Sequence, residues 1–357
     1  MKLLAHSYIS EIDNYIPGKA KIGSKKAIKL SSNENALGSS PKAIDAYEKH
    51  AAEVVRYADG ACTALREAIA AKNKISAEQI VCGAGSDEIL AFLTSAFAGV
   101  GDEVIYSEYG FLMYPISAKR VGAKAVKVKE KNLRTDVDAI LAAITPKTKI
   151  IFIANPNNPT GSYVTEAEVR KLINGTPRNV LIVLDHAYEE FVEESDYPNA
   201  IALVNEFENV VATRTFSKIY GLASLRIGWC YSSSYIAQVL NKIRGPFNVG
   251  GPAQFAAVAA LQDDDFFVSS KAHNKKWLKF FFAEIAKIAA VKAHPSIANF
   301  ILLDFGSLEN CQKANAKLLE NGFILREMAG YGLPNCLRLT IGTEAENLEV
   351  LEILKAL

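Results

Sequence analysis

The stretch that decides the fold is NVVATRTFSKIYGLASLRIGWCY, residues 209–231. It opens with a β-branched, apolar run, NVVATRTF (209–216), which is typical of a buried strand. After a polar turn, RIGWCY (226–231) has the same character. Lys218 stands just beyond the first strand, and Arg226 follows it eight residues later. The sequence therefore predicts two cations at the ends of buried strands.

Short β-branched runs alternate with helix-like stretches from about residue 45 onward. This alternation is typical of a largely parallel sheet with helices on both faces. The predicted strands are QIVCG (79–83), EVIY (103–106), AVKV (125–128), KIIFIAN (149–155), VLIVLD (180–185), NVVATRTF (209–216) and RIGWCY (226–231). We therefore expect an α/β fold in which one mostly parallel, seven-stranded sheet forms the middle of three layers.

The two ends of the chain differ from this alternating region. A loop-rich arm containing SSNENALGSSP comes first, and long amphipathic helices, including KAHNKKWLKFFFAEIAKIAA (271–290), come last. The strand-like segments FILLDF and CLRLTIG follow those helices. We expect an N-terminal arm at 1–45 that joins a small domain, a large domain at 46–251, and a small α+β domain at 252–357.

Composition excludes several classes of protein. Forty basic and 39 acidic residues give a net charge of +1, which provides no general attraction for nucleic acid or an anionic membrane. The five cysteines are an odd number without a CxxC pair, which argues against a disulfide framework and against a zinc site. No apolar run reaches the roughly 18 residues that a membrane span requires, and no signal core is visible. We expect a cytoplasmic protein without a metal.

Functional groups of open α/β sheets gather beyond the carboxyl ends of the strands. The first predicted strand runs into GAGSDEIL, where Gly83 and Gly85 permit tight turns. A helix beginning near Ser86 offers free N–H groups to a phosphate. A dinucleotide fingerprint is incomplete here because Glu88 occupies the place of its third glycine, and an ordinary strand-to-helix turn is the other interpretation.

Other predicted strands also end in polar residues. ANPNNPTG presents Asn157 and Asn158, and the strand 180–185 ends in Asp185, which is soon followed by Tyr188. A lysine at a strand end is usually a solvated charge. Here, however, Lys218 would face an acid, a phenol, an amide and an arginine. Together these groups suit one ligand that has a phosphate, an acidic ring oxygen and a basic ring nitrogen.

Seven ordered motifs carry a family resemblance over nearly the whole chain: LSSNENALGSSP, RYADG, GAGSDEIL, ANPNNPTG, DHAY, TFSKIYGLASLRIGW and CLRLTIG. They resemble the fold-type I pyridoxal-phosphate enzymes, specifically the histidinol-phosphate aminotransferase branch of the class II aminotransferases. The resemblance implies pyridoxal 5′-phosphate as cofactor and amino transfer between histidinol phosphate and 2-oxoglutarate, or from glutamate in reverse. Aromatic amino acid aminotransferases and a threonine-phosphate decarboxylase share these motifs, so the substrate side chain stays open.

The resemblance implies three catalytic residues. Lys218 would bind the cofactor covalently and move the substrate proton. Asp185 would keep the pyridine nitrogen protonated. Tyr188 and Asn158 would form hydrogen bonds to the phenolic oxygen of the ring, and Tyr109, in SEYGFLMY, would stack on the ring face.

It also implies how the cofactor phosphate is held. The backbone N–H groups of Gly85 and Ser86 would bind it, together with Ser217 and the planar fork of Arg226. Tyr57, in RYADG, resembles the tyrosine that reaches the phosphate bound to the partner subunit. The expected assembly is therefore a homodimer with shared active sites.

Substrate binding is expected at four further positions. Arg338, in CLRLTIG, matches the arginine that receives the substrate's carboxylate or phosphate, and Arg326 would supply a second positive charge. Tyr15 would close the entrance or pack on the small domain, and Asn33 lies in the SSNENALG motif. A ligand-sensing regulator is disfavoured because the chain has no DNA-binding extension. A nicotinamide oxidoreductase is also disfavoured, because it would leave Lys218, Asp185 and Arg338 without a joint function.

Overall fold

The computed structural model describes residues 3–13 and 27–357, and this part of the chain forms twelve strands. They are β1 (Ile28–Leu30), β2 (Ile80–Gly83), β3 (Glu103–Ser107), β4 (Lys124–Val128), β5 (Thr148–Ala154), β6 (Leu181–Asp185), β7 (Val210–Thr215), β8 (Gly228–Tyr231), β9 (Lys292–Ala293), β10 (Phe300–Asp304), β11 (Phe323–Glu327) and β12 (Cys336–Thr340). Two separate sheets contain these strands.

Twelve α-helices lie in the same described ranges. They are α1 (Pro41–His50), α2 (Thr63–Asn73), α3 (Ser86–Phe97), α4 (Met113–Arg120), α5 (Val137–Ala142), α6 (Glu166–Gly175), α7 (Ala200–Glu206), α8 (Ser234–Ile243), α9 (Gly251–Leu261), α10 (Asp264–Ile285), α11 (Leu308–Glu320) and α12 (Glu344–Lys355). Capping boxes formed by Thr165 with Glu168 and by Thr343 with Glu346 begin α6 and α12. No helix within these ranges is long and apolar enough to cross a membrane.

The larger sheet contains all seven predicted strands, in the order β2-β8-β7-β6-β5-β3-β4. The pairs from β7 through β6, β5 and β3 to β4 are parallel, whereas β8 is antiparallel to both β2 and β7. Seven strands consequently include only one that runs against the rest. The prediction of a mostly parallel, seven-stranded sheet is confirmed.

Helices cover both faces of this sheet, which explains its apolar strands. Along β5, Ile150 and Phe152 pack into a cluster with α3, α4 and α8. The alternate residues Ile151 and Ile153 pack on the opposite face with α2, α6, α7 and α9. Because successive side chains of a strand point to opposite faces, a strand covered on both sides needs a continuous apolar run.

The smaller sheet has the order β1-β11-β12-β10-β9. The segments FILLDF and CLRLTIG supply β10 and β12, and α10, α11 and α12 pack against the sheet around Phe281, Leu318 and Leu351. Strand β1 comes from the N-terminal segment and pairs in parallel with β11, almost three hundred residues away in sequence. The segment that follows β1 therefore lies between the two sheets.

Candidate active site

A cavity of about 530 Å³ lies at the carboxyl edge of the larger sheet, with the smaller sheet on its other side. The ends of β2, β5, β6 and β7 and the segment after β1 all reach it. Ten predicted site residues line this cavity: Asn33, Ser86, Asn158, Asp185, Tyr188, Ser217, Lys218, Arg226, Arg326 and Arg338. Strand ends that are far apart in sequence therefore converge on one site, as expected for an open α/β sheet.

Lys218 lies just beyond β7, and its Nζ atom donates a hydrogen bond to the backbone oxygen of Ser32 at 3.0 Å. Burial, together with the nearby positive charge of Arg338, lowers the pKa of the Lys218 amine to about 8. The amine also lies 5.5 Å from the centre of the Tyr188 ring. An amine with this pKa is neutral near pH 7 in a far larger fraction of molecules than an ordinary lysine amine, so it can act as a nucleophile or base.

Asp185 ends β6 and is buried. Its carboxylate accepts hydrogen bonds from the hydroxyls of Tyr114, at 2.8 Å, and Thr213, at 3.1 Å. Burial raises the pKa of Asp185, while these two hydrogen bonds oppose the rise. Sequence reasoning missed Tyr114 because it lies on α4 rather than at a strand end; its position in the aromatic motif SEYGFLMY was the available signal.

Asn158 and Arg338 meet across the cavity. Arg338 donates from one guanidinium nitrogen to Asn158 Oδ1 and from the other to the backbone oxygen of Ser31, the latter at 2.7 Å. The guanidinium also lies 5.2 Å from the centre of the Phe300 ring. Arg338 is thus buried and held by both the larger sheet's loop and the N-terminal segment.

A second group of donors forms around the start of α3. Gly85 has a φ of +91°, and a Cβ atom there would lie 2.3 Å from Nη2 of Arg226. Arg226 donates to the Ser217 hydroxyl at 3.3 Å and to Asp87 at 2.7 Å. The N–H groups at the helix start, a hydroxyl and a guanidinium therefore surround one corner of the cavity, which suits a bound phosphate.

Three predicted residues do not line this cavity, and one cannot be located. Tyr109 packs against an apolar cluster that contains Tyr331, which itself lines the cavity, and Phe111 lines the cavity as well. Gly85 shapes the loop without contributing to the lining, and Tyr57 lies on the surface, stacked on Phe247 at 4.6 Å. Tyr15 is outside the described residues.

The aminotransferase class I and II family model matches residues 25–354 of the sequence. The chain belongs to this family, which confirms the family and the enzyme class predicted from the motifs. The histidinol-phosphate aminotransferase of Paramagnetospirillum magneticum is 48% identical over 97% of this chain and 96% of its own. That of Zymomonas mobilis is 47% identical over 100% and 97%.

Solved structures agree with this assignment. The histidinol-phosphate aminotransferase of Sinorhizobium meliloti, in complex with pyridoxal-5′-phosphate, superposes with a TM-score of 0.91 at 27% identity. The match covers 99% of this chain and 96% of that one. The predicted two-sheet architecture of a fold-type I transferase is therefore confirmed.

Proposed function

We propose that this aminotransferase transfers an amino group between L-histidinol phosphate and 2-oxoglutarate, with pyridoxal 5′-phosphate bound through Lys218. The observation that carries the substrate proposal is a pair of arginines in the cavity wall. Arg326 and Arg338 are register partners on β11 and β12, so their side chains stand on the same face of the smaller sheet. Two adjacent guanidiniums suit a substrate phosphate, and either one suits a carboxylate. The relatives named above support the same substrate.

The cofactor is pyridoxal 5′-phosphate, as predicted, and the cavity has groups for each part of it. The corner near Gly85 provides donors for the phosphate, and Asp185 provides a buried carboxylate for the ring nitrogen. We assign Asn158 and Tyr188 to the phenolic oxygen and transfer the stacking role from Tyr109 to Phe111. The placement of Phe111 on the cavity wall supports that transfer.

When bound, the cofactor supplies an electron-withdrawing ring that stabilises negative charge on the substrate α-carbon. Asp185 holds the proton on the ring nitrogen, and the hydrogen bonds from Tyr114 and Thr213 keep its carboxylate in place. Lys218 then removes the α-proton of the substrate and returns it as a general base and acid. Arg338 binds the substrate carboxylate or phosphate and so fixes which bond faces Lys218.

We further propose a homodimer in which Tyr57 reaches the phosphate site of the partner subunit. Several apolar side chains cluster on the surface near Tyr57, which is 84% exposed, including Val55, Phe247 and Phe255. Exposed apolar patches of this kind mark protein interfaces. The proposal therefore accounts for an aromatic stack that would otherwise lie in water.

The domain boundaries and the location of the enzyme also remain proposals. We assign the arm to 1–45, the large domain to 46–251 and the small domain to 252–357. The separate apolar cores of the two sheets support a division into two domains, although α9 (Gly251–Leu261), which begins at the proposed boundary, packs into the core of the larger sheet. We place the enzyme in the cytoplasm, in histidine biosynthesis, and the five buried, unpaired cysteines fit a reducing compartment.

Steady-state kinetics test the reaction. Because both substrates use one site in turn, initial rates with L-histidinol phosphate and 2-oxoglutarate should give the parallel double-reciprocal lines of a ping-pong scheme. Intersecting lines would contradict it.

Substitution of Arg326 tests the phosphate assignment. R326Q should raise KM for histidinol phosphate at least about tenfold, because a charge-assisted contact to phosphate is lost, and should change KM for glutamate less. R326K is the matched control, since it keeps the charge without the planar fork and should give an intermediate KM. Equal effects on both substrates would count against a phosphate role.

A further inference from the structure

Asn33 is buried between the two sheets and is held by hydrogen bonds from both its backbone and its side chain. It is 1% exposed and has a φ of +57°, in the left-handed region that asparagine tolerates better than most residues. Its backbone N–H donates to the Thr340 hydroxyl oxygen at 3.0 Å, and its backbone oxygen accepts from Asn299 at 3.1 Å. Its side-chain Nδ2 donates to the Tyr188 hydroxyl oxygen at 2.9 Å.

The Thr340 hydroxyl fixes which way the Asn33 amide points. This hydroxyl already accepts the Asn33 backbone N–H, and its single hydrogen is donated to Asn33 Oδ1 at 3.1 Å. The oxygen end of the amide therefore faces Thr340, and the nitrogen end faces Tyr188. An amide nitrogen only donates hydrogen bonds, so the Tyr188 oxygen is the acceptor in this pair.

The hydroxyl hydrogen of Tyr188 must then point elsewhere. No oxygen or nitrogen within residues 3–13 and 27–357 accepts it, and Tyr188 lines the cavity beside Lys218. A buried hydroxyl hydrogen normally has an acceptor, so we expect the bound cofactor to supply that acceptor.

We propose that Asn33 and Thr340 are positioning residues, which direct the hydroxyl hydrogen of Tyr188 into the cavity toward the phenolic oxygen of the cofactor. This inference rests on the proposed cofactor role of Tyr188. It assigns Asn33 to the cofactor rather than to the substrate, and it gives a function to Thr340, a residue of the CLRLTIG motif to which the sequence analysis assigned none.

The direction of the Tyr188 hydroxyl hydrogen depends on which end of the Asn33 amide faces it, because the nitrogen end donates hydrogen bonds and the oxygen end accepts them. Without the Thr340 hydroxyl, nothing keeps Asn33 Oδ1 away from Tyr188, so the amide can turn over and accept the hydroxyl hydrogen itself. The phenolic oxygen of the cofactor then loses a donor. Strand β12 carries Arg338 two residues before Thr340, so one strand holds both the substrate anchor and this cofactor contact.

The test is a pH titration of the visible absorption band of the purified holoenzyme. Donation to an anionic oxygen favours its charged form, so Y188F should raise the apparent pKa of the band. T340V should raise it in the same direction, by about half a pH unit or more, because the donor is redirected. T340S keeps the hydroxyl and should titrate like the wild type. T340A serves as a second variant if T340V does not fold.

The double variant separates this role from a merely structural one. If Thr340 acts through Tyr188, T340V should add no further shift in a Y188F background. Equal shifts in both backgrounds, or no shift for T340V where Y188F shifts, would overturn the inference and leave the proposed function intact. A Y188F enzyme that titrates like the wild type would instead overturn the assignment of Tyr188 itself, and the inference with it. Lower thermal stability alone supports neither outcome, so the band pKa decides.

Discussion

At the scale of single residues, the environment of Lys218 determines the chemistry. The amine hydrogen-bonds to one backbone oxygen, Ser32 O, and stands near the guanidinium of Arg338. Burial and this neighbouring charge both disfavour the protonated form, so the pKa of Lys218 falls to about 8. Lys218, which we propose to attack the cofactor, therefore has a lowered pKa before the cofactor binds.

The rate at which cofactor-free protein rebinds its cofactor tests the lowered pKa of Lys218. Only the neutral amine attacks, so the rate at which cofactor-free protein recovers its visible band should rise with pH and level off above about 8. R338Q removes a nearby positive charge, which should raise the pKa of Lys218 and move the profile to higher pH. A wild-type profile that still rises steeply at pH 10 would contradict a lowered pKa; the reference pKa of lysine is about 10.4.

Sequence patterns predicted some residues of the site and not others for physical reasons. Asp185 and Lys218 follow strands, so their convergence is implied once the strands are known to be parallel. Tyr114 reaches Asp185 from α4, and whether a helical side chain points into the site depends on the helix's rotation. Phe111 reaches the cavity wall through the path of a loop, which no periodicity specifies, so we propose it for the stacking role predicted for Tyr109.

At the scale of elements, the turn between β2 and α3 shapes the corner of the cavity that we assign to the cofactor phosphate. Gly85 adopts a φ of +91°, and Arg226, opposite it, has a φ of +52°. Gly228 has a similar role from β8, since a Cβ there would lie 2.4 Å from the backbone nitrogen of Ser86. The backbone therefore approaches closely where donors must converge, and side chains larger than hydrogen are excluded.

Gly85→Ala tests this packing. The new Cβ would overlap Nη2 of Arg226 at 2.3 Å and force a strained φ, so cofactor affinity should fall at least about tenfold. Gly99→Ala is the matched control, because nothing lies within 4 Å of a Cβ there and its φ is not in the strained region. Affinity is measured by equilibrium titration of the cofactor-free variants. An unchanged cofactor affinity of G85A would show that this loop does not contribute to cofactor binding.

The elements of the larger sheet were predictable, whereas part of the smaller sheet was not. The central strands of the larger sheet carry apolar, largely β-branched runs that face helices on both sides, as β5 does. Strand β1 has only three residues, and its partner β11 lies at the other end of the chain, so neither local composition nor spacing indicates the pairing. Asn33 was predicted as a site residue from its motif, but its contact with Thr340 follows from that pairing and was equally hidden.

At the scale of the whole molecule, one cavity receives groups from both sheets, and the proposed homodimer would add Tyr57 from a second chain. If the active sites are shared in this way, dimers that contain two different inactive variants should regain activity. In a hybrid of K218A and Y57A subunits, one of the two sites has an intact Lys218 and receives an intact Tyr57 from its partner. Both parent homodimers should be strongly impaired.

Random mixing of the two variants should therefore restore about a quarter of wild-type activity, since half of the dimers are hybrids with one good site each. Mixing either variant with itself under the same conditions is the control. If Tyr57 served its own subunit, the hybrids would have no intact site and no activity would return.

We propose that this enzyme acts on histidinol phosphate through a lysine-bound cofactor. The most direct measurement is rapid mixing of the holoenzyme with L-histidinol phosphate and, separately, with L-phenylalanine while the visible band is followed. We predict rapid bleaching by histidinol phosphate at micromolar concentration and a much slower response to phenylalanine. An equal or faster response to phenylalanine would contradict the substrate assignment, and a purified protein without a visible band would contradict the cofactor assignment.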